Sequence, residues 1–389
     1  MSKSLSYVLV TPYTIAKSRT GGVLSRLISR TELELVGAQM FAPDEKFAKD
    51  YAATMRLRSP QNQVMLLADY VETNLPPSGG RPHRTLLLLF RGENACEQLT
   101  TACGHLYSHN VEVDALTGET IRDTYADLVF SMGNPEIPSY FEPAVLTPRN
   151  QQEADEDLLF MMNHLEGKGN IVQNMVYSDP SKIERTLAII KPDNWTHNSS
   201  RPGAIIDMFS RTGLRIVGIK AFRFSLSQAV KFYSPVEVIL KEKLAPEYGQ
   251  KAKEILEKEY KISLSKESVK ALTETVGIDC AVNQFEKILK FMCGKRRRDC
   301  PPEDFDKSGD VRSMILVYEG ENAVKKIRDV LGPTDPLSAP NGTIRKEFGS
   351  DVMKNTAHAS DSVESYNREK DIVKIDENTL CSIIKEQLT

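Results

Sequence analysis

The sequence predicts an α+β chain of two tandem ferredoxin-like βαββαβ domains, each with an antiparallel sheet, and a helical insertion in the second. The first observation behind this is an internal duplication. Tyr7-Val8-Leu9-Val10-Thr11-Pro12 answers Leu187-Ala188-Ile189-Ile190-Lys191-Pro192, residues 22–28 answer 203–209, and residues 33–37 answer 214–218. The second is the order of elements in each copy: an apolar strand, a helix opened by Gly22 or Gly203, a second strand, a helical stretch, a third strand (85–90 or 314–318) and a further helix. The third is a jump in offset. It is 180 at the paired prolines, 181 at the glycines and 228 at the two Gly-Glu-Asn-Ala motifs (92–95 and 320–323), so 47 residues are inserted between Gly218 and Gly320.

The elements follow in order. Residues 1–148 form the first domain, with helices expected on one sheet face. Residues 149–182 read as a polar linker with an acidic group at 153–157 and one short helix around 155–165. Residues 183–389 form the second domain, interrupted at about 235–283; there 251–260 reads as charged helix, and Ser265 caps a helix ending before Gly277. Its short fourth strand is expected near Val352. The run Lys295-Arg296-Arg297-Arg298, beside acidic 303–306, reads as a solvated loop.

Composition narrows the function. The chain has 389 residues, 40% hydrophobic and 26% charged, and its net charge of -3 gives no argument for a specific nucleic acid or a membrane partner. Six cysteines without a CxxC pair argue against structural zinc and suit a reducing compartment. No apolar run reaches membrane-span length, and residues 1–6 lack a signal-peptide core, so a cytoplasmic location is expected.

The stretch Asn355-Thr356-Ala357-His358-Ala359-Ser360-Asp361-Ser362 carries the chemistry. It sets one histidine among small polar residues, downstream of Arg328 and Arg345. Neutral imidazole is a good nucleophile near neutral pH, and a nucleophile beside phosphate-binding cations is equipment for phosphoryl transfer. Alone, such a histidine reads as a surface residue in a polar loop. Its context is more specific: Arg328 to Thr334 spans 6 residues, Thr334 to Arg345 spans 11, and Arg345 to His358 spans 13.

With Arg185-Thr186-Leu187-Ala188-Ile189-Ile190-Lys191-Pro192-Asp193, Phe232-Tyr233, Leu331-Gly332-Pro333-Thr334-Asp335-Pro336 and Gly342-Thr343-Ile344-Arg345, these motifs resemble the nucleoside diphosphate kinase family over roughly residues 184–375. The resemblance implies the ferredoxin-like fold and ping-pong transfer of a γ-phosphate between nucleoside tri- and diphosphates through phospho-His358. It implies catalytic roles for His358, Lys191, Glu369 and Ser360. Glu369 would orient the imidazole, with Ser360 supporting the carboxylate. Nucleotide binding would fall to Lys191, Tyr233, Phe285, Arg328, Thr334, Arg345, Val352 and Asn355, with Asn355 reaching the sugar. Mg²⁺ would arrive with the nucleotide, and no protein-held metal is expected. Family dimers form across their sheets, so the two copies are expected to make that dimer within one chain, with further homo-oligomers open.

The chain departs from the family pattern at the base pocket. Gln284 stands at the stacking position, with Phe285 beside it; either Phe285 takes over by a register shift, or stacking is weakened. Ala359 replaces a glycine. The first copy lacks the chemistry: Thr11 stands for Lys191, Thr100 for Arg328, and 13 residues past Arg122 stands Pro135, with no histidine between His109 and His164. That copy reads as scaffold. A nucleotide-binding regulator without useful turnover is the alternative function. A phosphohistidine that passes its phosphate to a protein is a third, which no residue favours.

Overall fold

Continuous apolar runs become the central strands. The computed structural model describes residues 3–106, 118–131 and 134–388. The first copy runs β1 (Ser4–Val10), α1 (Pro12–Ala16), α2 (Thr20–Arg30), β2 (Glu34–Phe41), α3 (Glu45–Arg58), α4 (Asn62–Asn74), β3 (Thr85–Gly92), α5 (Ala95–Cys103) and α6 (Ile121–Tyr125). A ribbon of β4 (Asp127–Ser131) and β5 (Asn134–Glu142), then β6 (Val145–Leu146) and α7 (Gln151–Leu165), complete it. The second copy runs β7 (Ile183–Ile190), α8 (Arg201–Ser210), β8 (Arg215–Phe222), α9 (Leu226–Tyr260), α10 (Lys266–Leu272) and α11 (Ile278–Cys293). It continues with β9 (Ser313–Glu321), α12 (Ala323–Leu331), α13 (Ile344–Phe348), β10 (Ala357–Ala359), α14 (Val363–Val373) and α15 (Leu380–Leu388).

Two four-stranded sheets have one topology, β2-β3-β1-β6 and β8-β9-β7-β10. The first strand of each copy pairs antiparallel with the third and with the short last strand. This is the expected tandem α+β arrangement, with three corrections. Helices cover both faces of the first sheet: α2 and α5 pack on one, and α3, α4, α7 and α15 on the other. The cause is β1, buried at every position from Leu5 to Val10, since a strand apolar on both sides needs two covers. The helix expected in the linker is α7, and it joins the first copy, because Gln151 donates to the Leu5 carbonyl at 2.8 Å and Asp157 accepts from the Tyr7 hydroxyl at 2.6 Å. The last strand is β10 rather than one near Val352, because Asp351 Oδ1 accepts the amides of Met353 and Lys354, each at 2.8 Å, and holds that segment in a turn.

The two copies share one apolar cluster, running from Val8, Leu24 and Leu88 through Ile205, Phe209 and Leu316. At its edge α2 meets α8 so closely that a Cβ on Gly21 would lie 2.3 Å from the Gly203 carbonyl oxygen, and one on Gly203 2.1 Å from that of Gly21. Only glycine fits there. Asn170, 2% exposed, bonds both copies: its Oδ1 accepts from the Met40 amide and its Nδ2 donates to the Ile219 carbonyl, both at 2.9 Å. The α15 helix then returns to the first copy, burying Leu380 and Ile384 beside Leu5 and Tyr7.

Residues 223–313 form a separate compact unit of α9, α10, α11 and a π-turn at Thr273–Gly277. It contains the segment 235–283 and extends past both its ends. Ser225 and Gln228 close a capping box on α9, and Ser265 caps α10 as its sequence predicts. The basic run is not simply solvated: Arg297 donates to Glu286 Oε1 at 2.6 Å and reaches Glu237 at 3.3 Å, because both carboxylates face it from α9 and α11.

Replacing Asn170 with alanine strands a buried N–H and a buried C=O, so Asn170→Ala should lower unfolding stability by about 2 kcal/mol or more. A urea titration checks this; an unchanged midpoint would show that the junction does not depend on Asn170.

Candidate active site

The site grows from the pairing of β10 with β7, where His358 stands opposite Ile189. Two residues earlier, Thr356 takes a positive φ of 77°. Its neighbours over-determine that strained backbone. Its carbonyl accepts from the Lys191 amide at 2.9 Å and Asn194 Nδ2 at 2.7 Å, and its amide donates to Asp193 Oδ2 at 3.2 Å. Asp193 and Thr356 fall inside the sequence motifs and Asn194 just past one, with nothing in their spacing to mark this role. The duplicated proline after β1 and β7 was the available signal, since it marks where the chain turns beneath the last strand.

The His358 ring is bonded to a fixed carboxylate. Its Nε2 lies 3.0 Å from Glu369 Oε1, and Glu369 Oε2 accepts from the Ser360 hydroxyl at 2.7 Å. Glu369 is 3% exposed and Ser360 fully buried, so this pair is held away from water. With Nε2 carrying the proton toward the carboxylate, the tautomer leaves the lone pair on Nδ1.

Lys191 follows β7 and is almost buried. Its Nζ donates to Asn355 Oδ1 at 2.6 Å. Burial, with the nearby Arg345 charge, brings its ammonium down to a pKa of about 8, while Asp193 and Asp351 act in the opposite sense. Asn355 is 1% exposed, and its Nδ2 donates to the Thr334 carbonyl at 2.9 Å. Both ends of the amide expected to meet the sugar therefore bond within the protein. Arg345 on α13 donates to the carbonyls of Gly332 (2.9 Å) and Ala357 (3.0 Å). Arg328 on α12, Thr334 and Val352 are all exposed.

The two remaining residues lie in the 223–313 unit. Tyr233 is 7% exposed, its ring 5.0 Å from that of Phe232. Phe285 corrects the sequence reading. It is fully buried with the Arg297 guanidinium 5.0 Å over its ring, so no face is presented to a base, and Gln284 bonds the Tyr248 hydroxyl at 3.1 Å. Among the described residues, no group of three or more His, Cys, Asp or Glu converges to hold a metal.

The first copy repeats the framework without the reactive groups. Leu9 pairs with Leu146 as Ile189 pairs with His358, so Leu146 occupies the histidine's register position. Sequence counting from Arg122 lands instead on Pro135, because the β4–β5 ribbon lengthens this stretch; His109 lies outside the described residues. Ala144 repeats the positive φ of Thr356, at 61°, and its carbonyl accepts from the Thr11 amide. Arg122 bonds the Gly104 and Val145 carbonyls as Arg345 bonds those of Gly332 and Ala357. The carboxylate matching Glu369 is Asp157, here bonded to the Tyr7 hydroxyl and to Arg58 beside a stacked Tyr51 and Phe160. Aromatic packing fills what the second copy leaves polar.

The family model for "Nucleoside diphosphate kinase" matches residues 184–241 and 300–377, on either side of the helical insertion. A nucleoside diphosphate kinase of Anaeromyxobacter dehalogenans is 33% identical over 183 residues, which cover 47% of this chain and 83% of that protein. One of Paracoccus denitrificans is 33% identical over 187 residues, covering 48% of this chain and 90% of that protein. The solved Aquifex aeolicus nucleoside diphosphate kinase is 28% identical, with 49% of this chain and 94% of that chain covered and a TM-score of 0.31. Motif order, twin sheets and relatives covered over most of their length thus converge: this chain belongs to the nucleoside diphosphate kinase family.

Proposed function

We propose that the second copy is a nucleoside diphosphate kinase that works by a ping-pong route through phospho-His358, and that the first copy is a scaffold forming an intramolecular pseudo-dimer with it. The observation that carries the proposal is the His358–Glu369–Ser360 chain of hydrogen bonds, which directs the imidazole's lone pair to Nδ1. Nδ1 bonds to the γ-phosphorus as the bond from that phosphorus to the β-bridging oxygen breaks, and the electron pair leaves with the diphosphate. A terminal oxygen of a second nucleoside diphosphate then takes the phosphoryl group, and the lone pair returns to Nδ1. Glu369 balances the positive charge of the phosphorylated ring.

Phosphoryl transfer needs positioning and charge neutralisation more than covalent help. Lys191 offers an ammonium, and Arg328 and Arg345 offer planar forks suited to phosphate oxygens. Thr334 adds a hydroxyl, and Asn355, with both ends of its amide engaged, holds Lys191 in place. Nearby carboxylates fit no protein-held metal: Asp193 and Asp351 accept backbone amides. Mg²⁺ brought in with the nucleotide would supply charge neutralisation to the phosphates. With Phe285 interior, stacking on that ring contributes little, and nucleotide binding is correspondingly weaker.

Incubation with γ-labelled ATP and Mg²⁺ should yield an acid-labile, base-stable label on the protein. The label should be discharged by GDP or CDP and absent in His358→Ala. ATP binding without label in the unmutated chain would instead assign a nucleotide-binding regulator. Glu369→Gln should reduce kcat by about 10²-fold while leaving KM nearly unchanged, since it orients the ring rather than binding substrate. Because the charged form of Lys191 binds phosphate and dominates below about pH 8, kcat/KM should fall as pH rises through about 8. Lys191→Arg should move that limb beyond the measurable range, and a limb that stays in place would assign it to another group.

A further inference from the structure

The junction between the copies opens into a cleft of about 810 Å³ that shares no lining residue with the His358 site. Arg81, His83 and Arg84 line it from the first copy, and Arg215 and Tyr318 from the second. Among the described residues that line it there is no aspartate or glutamate, although the Asp207 carboxylate stands behind Gly21 and acts on Tyr318. Two of the arginines are positioned by neutral partners: Arg84 donates to the Ile216 carbonyl and Arg215 to the Val176 carbonyl, both at 2.8 Å, and Arg215 lies 4.3 Å over the Tyr177 ring, while Arg81 is exposed at the rim. Carbonyl bonds hold a guanidinium without cancelling its charge. Glu319, nearby in the sequence, is already engaged by Arg185 at 2.6 Å and the Tyr177 hydroxyl at 2.9 Å. Burial and the Arg215 charge push Arg84 down to about 10, while Tyr177 and Glu319 act in the opposite sense.

Two hydroxyls on the same lining lack partners. Tyr318, 2% exposed, and Thr20, 3% exposed, each bury an oxygen that makes no hydrogen bond. Leaving a buried hydroxyl unbonded costs free energy, so both oxygens, set within the cleft wall, would gain from a ligand that reaches them. The α2 amides are already taken, since Asp207 accepts from Gly21 and Gly22.

We propose that this cleft binds a phosphate-bearing small anion, with Arg81, Arg84 and Arg215 meeting the phosphate oxygens and the hydroxyls of Thr20 and Tyr318 donating to them. Its volume falls within the range of about 300–1,000 Å³ common for small-molecule sites, enough for a nucleotide or a free polyphosphate. The chemistry they share is the polyphosphate group.

Calorimetric titration of the full chain with inorganic pyrophosphate at low salt tests this. Arg81→Ala/Arg215→Ala should weaken one binding event by about tenfold or more, and Arg328→Ala should retain that event. The phosphohistidine label should persist in the double variant, which separates this site from the catalytic reading. Tyr318→Phe guards against a folding artefact: losing an unbonded hydroxyl should leave the urea midpoint level or higher, yet weaken pyrophosphate. Unchanged pyrophosphate binding in both the double variant and Tyr318→Phe would overturn the proposal. In Arg328→Ala protein, displacement of pyrophosphate by ATP identifies the ligand as a nucleotide, and persistence of pyrophosphate identifies a free polyphosphate.

Discussion

Two helices touch through bare backbone where Gly21 of α2 faces Gly203 of α8, and the joining of the copies depends on that contact. A side chain on either residue would overlap the opposite carbonyl, so the separation of the copies is set by the chain itself rather than by adjustable side chains. From that contact follow the continuous apolar cluster, the reach of the Asn170 amide to both Met40 and Ile219, and the cleft beside them. Duplication within one chain makes such a junction independent of concentration, because the second half is always present.

The two copies separate scaffold from chemistry. Features present in both are those the fold needs: the positive φ at Ala144 and Thr356, the amide that satisfies each carbonyl, and the Arg122 and Arg345 bonds to paired backbone oxygens. Arg345 is thus structural on one side, whatever its other side does with phosphate. Features confined to the second copy are His358, Lys191 and Arg328. Where they are missing, Leu146, Thr11 and Thr100 return the space to packing and local hydrogen bonds. A buried carboxylate persists in both, each with an arginine beside it, but Asp157 bonds the Tyr7 hydroxyl while Glu369 holds an imidazole.

The helical unit 223–313 interrupts the second copy just after β8, in the part that carries Tyr233 and Phe285. Its helices satisfy themselves: Arg297 ties α9 to α11, and Phe285 is spent beneath it. An aromatic that looked available by position alone is consumed in holding the insertion together. Burial of an aromatic ring stabilises by about 1.5–3 kcal/mol, comparable to what stacking on a base would contribute, so the same ring does not serve both uses at once.

Read alone, the sequence determined the tandem plan, the location of the insertion, the loss of the reactive groups in the first copy and the identity of the candidate nucleophile. All of these rest on order and spacing, which survive in one dimension. Glu369 and Ser360 are expected beside the histidine only through the family resemblance, and the structure brings both to it. Only the tertiary structure decided what long-range packing controls. It assigned α7 to the first copy through bonds to β1, put Leu146 rather than Pro135 in the histidine's register, turned Phe285 inward and engaged both ends of the Asn355 amide. It also brought Arg81, Arg84 and Arg215 together across the junction. Residues far apart in sequence carry no spacing signal, and whether a side chain meets solvent, a partner or a ligand is fixed only when the copies close on one another.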